Sequence, residues 1–200
     1  GAARCDVGLG TETRTCSRYA PDATGRCGRG YVARMEIAGR RVLLTGASGG
    51  LGEAIARDLA ARGADLVVSA RREAELEALA AGTGATVLVA DLTDRDDLAR
   101  VLDAVRDVDI LVANAGIGAD VPIEELTADD VDRSIEVNLR APILMATEFV
   151  NSRLAARLPG QVVFIGSLSG LAPTPMTRMY NATKFGLRGF ALSLRQDLTG

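Results

Sequence analysis

From Arg40 onward the chain alternates short, continuously apolar runs with longer amphipathic ones, and few folds accept that pattern. The apolar runs are Arg41–Thr45, Asp65–Ala70, Ala85–Ala90, Asp109–Ala113 and Gln161–Ile165. Helical periodicity fills the gaps at Leu51–Arg62 and Arg72–Ala81, and from Thr93, as a cap, to about Arg106. A long helical stretch runs from about Thr127 to Arg157, with a bend expected near Asn138–Pro142 because proline breaks the hydrogen-bond ladder. A last helix is expected from about Met176 to the chain end. Strands without polar alternation are buried on both faces, so this reads as an α/β, doubly wound parallel sheet of Rossmann type, in the order 3-2-1-4-5. Ligands of such sheets bind at the carboxyl ends of the strands.

The turn after the first strand is Thr45-Gly46-Ala47-Ser48-Gly49-Gly50-Leu51-Gly52. Glycine lets the backbone approach a pyrophosphate, and the following helix points free N–H groups at it. A glycine-rich turn alone also fits an ordinary tight turn; its place between first strand and first helix is what points to a dinucleotide. The end of the second strand reads Ser69-Ala70-Arg71-Arg72, without the carboxylate that would hold the ribose 2′-hydroxyl of NAD. Two arginines suit a 2′-phosphate, so NADP(H) is the expected cofactor, with NAD(H) the alternative. Solvated residues at a helix start would look the same.

Beyond residue 34 the chain has one tyrosine and one lysine, Tyr180 and Lys184. Four residues apart on a helix, they share a face. Every other basic residue is arginine. Lysine offers a compact charge with a tunable pKa, which the planar and permanently charged guanidinium does not. A phenol beside an ammonium suits proton transfer, although an ordinary helix-face pair has the same spacing.

The whole chain has 200 residues, 48% hydrophobic and 24% charged, with a net charge of −3, so nothing in the total points to nucleic acid. No apolar run is long enough to span a membrane. The absence of histidine excludes His-based catalysis and most zinc chemistry. Residues 1–34 stand apart: six arginines against three acids, no periodicity, and all three cysteines (Cys5, Cys16, Cys27) at a spacing that fits no metal motif. They read as a disordered leader or a mis-called start before Met35, with residues 35–200 as the nucleotide-binding domain. A reducing cytoplasm is the default compartment.

Taken in order, Thr45–Gly52, Asp91-Leu92, Asn114-Ala115-Gly116, Asn138, Ser167 and Tyr180-x-x-x-Lys184 resemble the motifs of the short-chain dehydrogenase/reductase family, in its compact single-domain branch. The resemblance runs from about residue 38 to the end. It implies an oxidoreductase that interconverts a carbonyl and an alcohol. Tyr180 would be the general acid/base, and Lys184 would lower its pKa and hold the nicotinamide ribose. Ser167 would orient the substrate oxygen, with Ser169 as a neighbouring alternative. Asn138 would hold a water that links Lys184 to solvent. Thr45, Gly46, Ser48, Gly50, Leu51 and Gly52 would cradle the cofactor, and Asp91 would face the adenine, next to Leu92. Asn114, Ala115 and Gly116 would complete the wall.

Each residue also has a plainer structural reading: Ser167 ends a strand, Asn138 bonds backbone at a kink, Asp91 caps, and Asn114 stabilises a turn. Ala113 stands where family members often carry a second asparagine. Members also continue past the position of Gly200, with a sixth and seventh strand, so the resemblance implies a fragment, and an inactive one is an alternative. Others are a non-catalytic nucleotide-binding protein and an epimerase or dehydratase of the extended branch, which the glycine spacing disfavours. Leu168, Leu171, Met176 and Met179 suit an apolar substrate or a core. Leu144, Phe149, Phe185 and Phe190 suit a core or the helix faces through which the full-length protein would form a dimer or tetramer.

Overall fold

The computed structural model describes residues 36–118 and 121–199, the side chain of Thr199 excepted, so the readings of the leader and its cysteines lie outside the described residues. Five parallel strands form one sheet in the order β3-β2-β1-β4-β5. They are β1 (Arg41–Thr45), β2 (Asp65–Ala70), β3 (Thr86–Val89), β4 (Ile110–Ala113) and β5 (Gln161–Phe164). The helices are α1 (Gly50–Ala61), α2 (Glu73–Thr83), α3 (Arg95–Val105), α4 (Ala128–Ile135), α5 (Ala141–Ala156) and α6 (Arg178–Thr199).

Side chains alternate across each strand; both sides of β1, β2 and β4 are buried, while the edge strands β3 and β5 are half-buried. Val42, Leu44, Val68 and Val112 pack with Ala56 and Leu59 of α1 and with Leu76 and Leu79 of α2. Leu43, Val67 and Leu111 face the other way, onto Leu98, Val101 and Val105 of α3 and Met145 and Phe149 of α5. Two apolar faces per strand explain why these runs carry so few polar residues. At the amino ends, Asp109 accepts from the Arg41 N–H at 3.1 Å and pairs with Arg153, whose Nε donates to the Pro159 carbonyl at 2.9 Å. That clamp ties the starts of β1, β4 and β5 together, leaving their other ends for ligands.

One expectation changes and one is made more specific. Thr93 is not the cap of α3: its hydroxyl and N–H both donate to Asp91 Oδ1, and Asp94 takes the capping position, accepting from the N–H groups of Asp96 and Asp97. The long helical stretch is broken at the place expected, close to Asn138–Pro142, and the form of the break is new. The stretch is interrupted by a π-helical turn, Glu136–Arg140, where the Ala141 N–H reaches back to the Glu136 carbonyl. Pro142 follows directly in α5 and has no N–H to return to the ladder of the preceding turn. The π turn includes Asn138 and supplies the irregularity.

The first turn fixes the switch between β1 and β4, the two strands from which the chain winds in opposite directions. Gly46 has φ +68°, and a Cβ there would lie 2.7 Å from Ala115 Cα. At Gly52 a Cβ would lie 2.1 Å from the Gly46 carbonyl oxygen. Gly50 has open space. Gly52→Ala is therefore expected to cost about 2 kcal/mol or more from the overlap with backbone, whereas Gly50→Ala, in a helix, should stabilise by up to about 1 kcal/mol. Thermal melting of the two variants checks this; equal melting temperatures would contradict it.

Candidate active site

A cleft of about 600 Å³ opens at the carboxyl ends of the strands. Thr45, Gly46, Ser48, Gly50, Leu51, Gly52, Arg71, Arg72, Asp91, Leu92, Asn114, Ala115, Gly116, Tyr180 and Lys184 all line it. Ala90, Val137, Ile165 and Gly166, which sequence reasoning did not assign, line it too. Ala90 and Ile165 each sit one step beyond a strand end, so position relative to the strands was the available signal for those two.

Thr45 and Asn114 form a crossed clamp at the floor. Thr45 Oγ1 accepts from the N–H groups of Asn114 and Ala115, each at 3.2 Å. The Asn114 amide donates to the carbonyls of Thr45 and Gly46, each at 3.1 Å. Thr45 is 1% exposed, so these bonds satisfy polar groups that water does not reach. Above the floor, α1 starts at Gly50 with no side-chain cap on its first N–H groups. Uncapped N–H groups at a helix start suit an anion such as pyrophosphate. The backbone clearance at Gly46 and Gly52, the uncapped helix start and the two rim arginines together fit a dinucleotide phosphate.

At the rim, Arg72 donates to the Ser48 carbonyl and pairs with Glu75 at 2.9 Å, while Arg71 lies 3.7 Å from Asp91. Burial raises the Asp91 carboxyl, yet the two Thr93 hydrogen bonds and the charges of Arg71 and Arg133 outweigh it and hold the group below its ordinary range. Asp97 accepts the Asp91 N–H at 2.8 Å and fixes the strand end from below.

At the opposite end Lys184 is 5% exposed, and its Nζ donates to the Ile165 carbonyl at 2.8 Å. Nζ lies 5.5 Å from the centroid of the Tyr180 ring. Desolvation lowers the lysine pKa. Asn138 lies outside the cleft lining and is 1% exposed. Its Oδ1 accepts from the Ile117 N–H at 2.8 Å, and its Nδ2 donates to the Ile117 carbonyl at 2.8 Å and to Thr183 Oγ1 at 3.4 Å. The side chain thus ties the loop after β4 to α6, one residue before Lys184.

Ser167 also lies off the main lining. It caps the 3-10 turn Leu168–Gly170, accepting from the Ser169 N–H at 3.1 Å, and borders a second cavity of about 350 Å³. Gly166 and Lys184 line both spaces, so Ser167 adjoins the Lys184 end of the cleft. The Ser169 hydroxyl is turned to Thr174 at 3.3 Å and is buried. Leu168, Leu171 and Met176 are exposed, so core packing does not account for them. Phe149 is core, and Phe190 stacks edge-on against Phe164 at 6.0 Å, which leaves Phe185 as the exposed member of its set.

Residues 40–200 match the family model described as short chain dehydrogenase. A short-chain type dehydrogenase/reductase of Sinorhizobium fredii is 37% identical over 84% of this chain and 65% of its own length. A 3-oxoacyl-[acyl-carrier-protein] reductase of Rickettsia bellii is 32% identical over 82% of this chain and 68% of its own. Among solved structures, a short-chain dehydrogenase from Sphingobium yanoikuyae in complex with NADPH superposes with a TM-score of 0.75 at 36% identity, over 80% of this chain and 66% of that one. The chain therefore spans about two thirds of the length of these relatives.

Removing the Asn138 amide takes both of its hydrogen bonds from the half-buried Ile117 N–H and carbonyl. Asn138→Ala is expected to cost about 2 to 4 kcal/mol and to speed amide exchange at Ile117. Melting and hydrogen exchange check this; a protected Ile117 amide in the variant would contradict it.

Proposed function

Because the chain belongs to the short-chain dehydrogenase family, we propose that it serves an oxidoreductase that interconverts a carbonyl and an alcohol with NADP(H). One observation carries the reading: a buried ammonium beside a phenol, on the wall of a cleft whose floor is a glycine turn. A nicotinamide cofactor held there supplies or takes up the hydride. Tyr180 gives a proton to the substrate oxygen as the carbonyl is reduced and takes it back as the alcohol is oxidised. Lys184 sets a positive charge beside the ring while that proton moves, and its tie to Ile165 keeps it there. Ser167 orients the substrate oxygen from the neighbouring space. Asn138 acts by position, holding Ile117 and Thr183; one lone pair of its Oδ1 is left for the water relay that the resemblance implies.

The glycine turn and the start of α1 take the pyrophosphate, Asp91 faces the adenine, and the two arginines take the 2′-phosphate. The NADPH bound by the Sphingobium relative supports the same cofactor. The cytoplasm and a homo-oligomeric full-length protein belong to this proposal. No described helix is long and apolar enough to cross a membrane.

Tyr180→Phe is expected to lower turnover at least about a hundredfold while NADPH affinity stays within about threefold. A panel of ketones and alcohols read by NADPH absorbance, with cofactor titration alongside, tests this; retained turnover would defeat the assignment. Arg71→Ala combined with Arg72→Ala is expected to weaken NADPH by about tenfold or more beyond any loss for NADH, since a charge-assisted hydrogen bond contributes about 1.5 to 3 kcal/mol. Equal losses in calorimetric titrations would defeat the 2′-phosphate reading.

A further inference from the structure

Ser167 and Tyr180 stand at the two ends of the segment that joins β5 to α6. Beyond the 3-10 turn Leu168–Gly170 that segment has no regular structure until α6 begins at Arg178, and residues 171–176 are exposed. Its near end is fixed locally. The Ser167 carbonyl accepts from the Gly170 N–H at 3.0 Å, and a Cβ on Gly170 would lie 2.9 Å from the Lys184 carbonyl oxygen, so the 3-10 turn presses on the backbone of α6. Met176, further along, has φ +64°, a conformation that a residue other than glycine keeps only where its surroundings hold it.

The hold comes from Asn181, the residue after Tyr180. Its Nδ2 donates to the Thr174 carbonyl at 2.9 Å, and its Oδ1 accepts from Thr174 Oγ1 at 3.2 Å and from the Thr174 N–H at 3.4 Å. Thr177 Oγ1 donates to the same carbonyl at 3.1 Å. Thr174 Oγ1 also lies 3.3 Å from the buried Ser169 hydroxyl, and the Ser169 N–H is the one that Ser167 Oγ accepts. Polar contacts therefore run without a gap from Ser167 through Ser169 and Thr174 to Asn181. One carboxamide holds both main-chain groups of a single loop residue, because it carries a donor and an acceptor side by side. Asn138 grips Ile117, in the loop after β4, in the same way.

We propose that Asn181 is a positioning residue for the reaction. By gripping Thr174 it fixes the segment between Ser167 and Tyr180, and so sets the hydroxyl that orients the substrate oxygen against the phenol that exchanges its proton. This role rests on the oxidoreductase reading above. Asn181 does not line the cleft, so it acts through the segment it holds. Loss of the grip would free that segment and misplace the substrate oxygen, whereas the cofactor, seated on the glycine turn and the strand ends, would bind as before.

Amide exchange, NADPH titration and steady-state kinetics with a ketone from the panel above, on the wild-type chain and on variants, decide the matter. Asn181→Ala is expected to speed exchange across residues 171–177 by about fivefold or more. It is expected to lower kcat/KM for the ketone by about tenfold with NADPH affinity kept within about twofold. Because the effect passes through Ser167, adding Asn181→Ala to Ser167→Ala is expected to change kcat/KM by less than about twofold, where an unrelated structural loss would multiply in full. Asn181→Asp keeps the shape but turns an acceptor toward the Thr174 carbonyl, and is expected to behave as the alanine variant does. Unchanged exchange in Asn181→Ala, a full further loss in the double variant, or wild-type kinetics in Asn181→Asp would overturn the role. A wild-type chain without turnover, or a Ser167→Ala variant with full turnover, would instead overturn the oxidoreductase reading or its use of Ser167, and this inference with it.

Discussion

The contact between the first turn and the end of β4 is the constraint on which the site depends. Two backbones meet there with no room for a methyl group: the Gly46 Cα and the Gly52 Cα each lie one virtual Cβ away from overlap with a neighbouring main chain. The Thr45 hydroxyl and the Asn114 amide then cross-link the two strand ends. The cleft exists because β1 and β4 are neighbours whose following segments leave in opposite directions, and this clamp holds the floor of the gap closed. Glycine at Gly46 and Gly52 thus answers to the packing of the protein itself. At Gly50, with open space around it, the packing of the protein makes no steric demand for glycine.

The other end of the cleft depends on a second irregularity. An uninterrupted helix from Ala128 to Ala156 would carry Asn138 on a regular i→i+4 ladder. The π turn inserts a wider loop of backbone, and the buried amide meets Ile117 on one side and Thr183 on the other. Thr183 is itself bonded to the α6 backbone, at the Met179 and Tyr180 carbonyls. A chain of polar contacts therefore runs from the loop after β4 to the turn of α6 that carries Tyr180 and Lys184. A buried polar chain of this kind stabilises only when each member is satisfied, and so it specifies one arrangement.

Much of this was legible in the linear chain. The apolar runs marked all five strands, because strands covered on both faces leave no place for polar alternation. The glycine turn, the two arginines and the Tyr180–Lys184 pair were legible because their chemistry depends on residue type and short-range spacing. Boundaries that depend on competition were less so. Thr93 and Asp94 are both good caps, and only the presence of the Asp91 carboxylate beside the Thr93 hydroxyl settles which one caps α3. Pro142 marked where the long helix is interrupted but not how: the break is a π turn that ends two residues before it.

Apolar side chains show the same divide. Phe149 and Phe185 have similar settings along the sequence, yet one is 2% exposed and the other 41%. Leu168 and Met176 read as core or as substrate wall until the fold left them outside. Arg71 and Arg72 are chemically identical neighbours, and nothing local distinguishes them. Their difference lies in Ser48, 24 residues earlier, which the winding of β1 and β2 brings beneath one guanidinium and not the other. Residue type and spacing thus fixed the class of fold and the groups able to do chemistry, since those follow from periodicity and intrinsic reactivity. Which groups are spent on the protein and which remain for a ligand depends on contacts between distant segments, and those arise only when the chain packs.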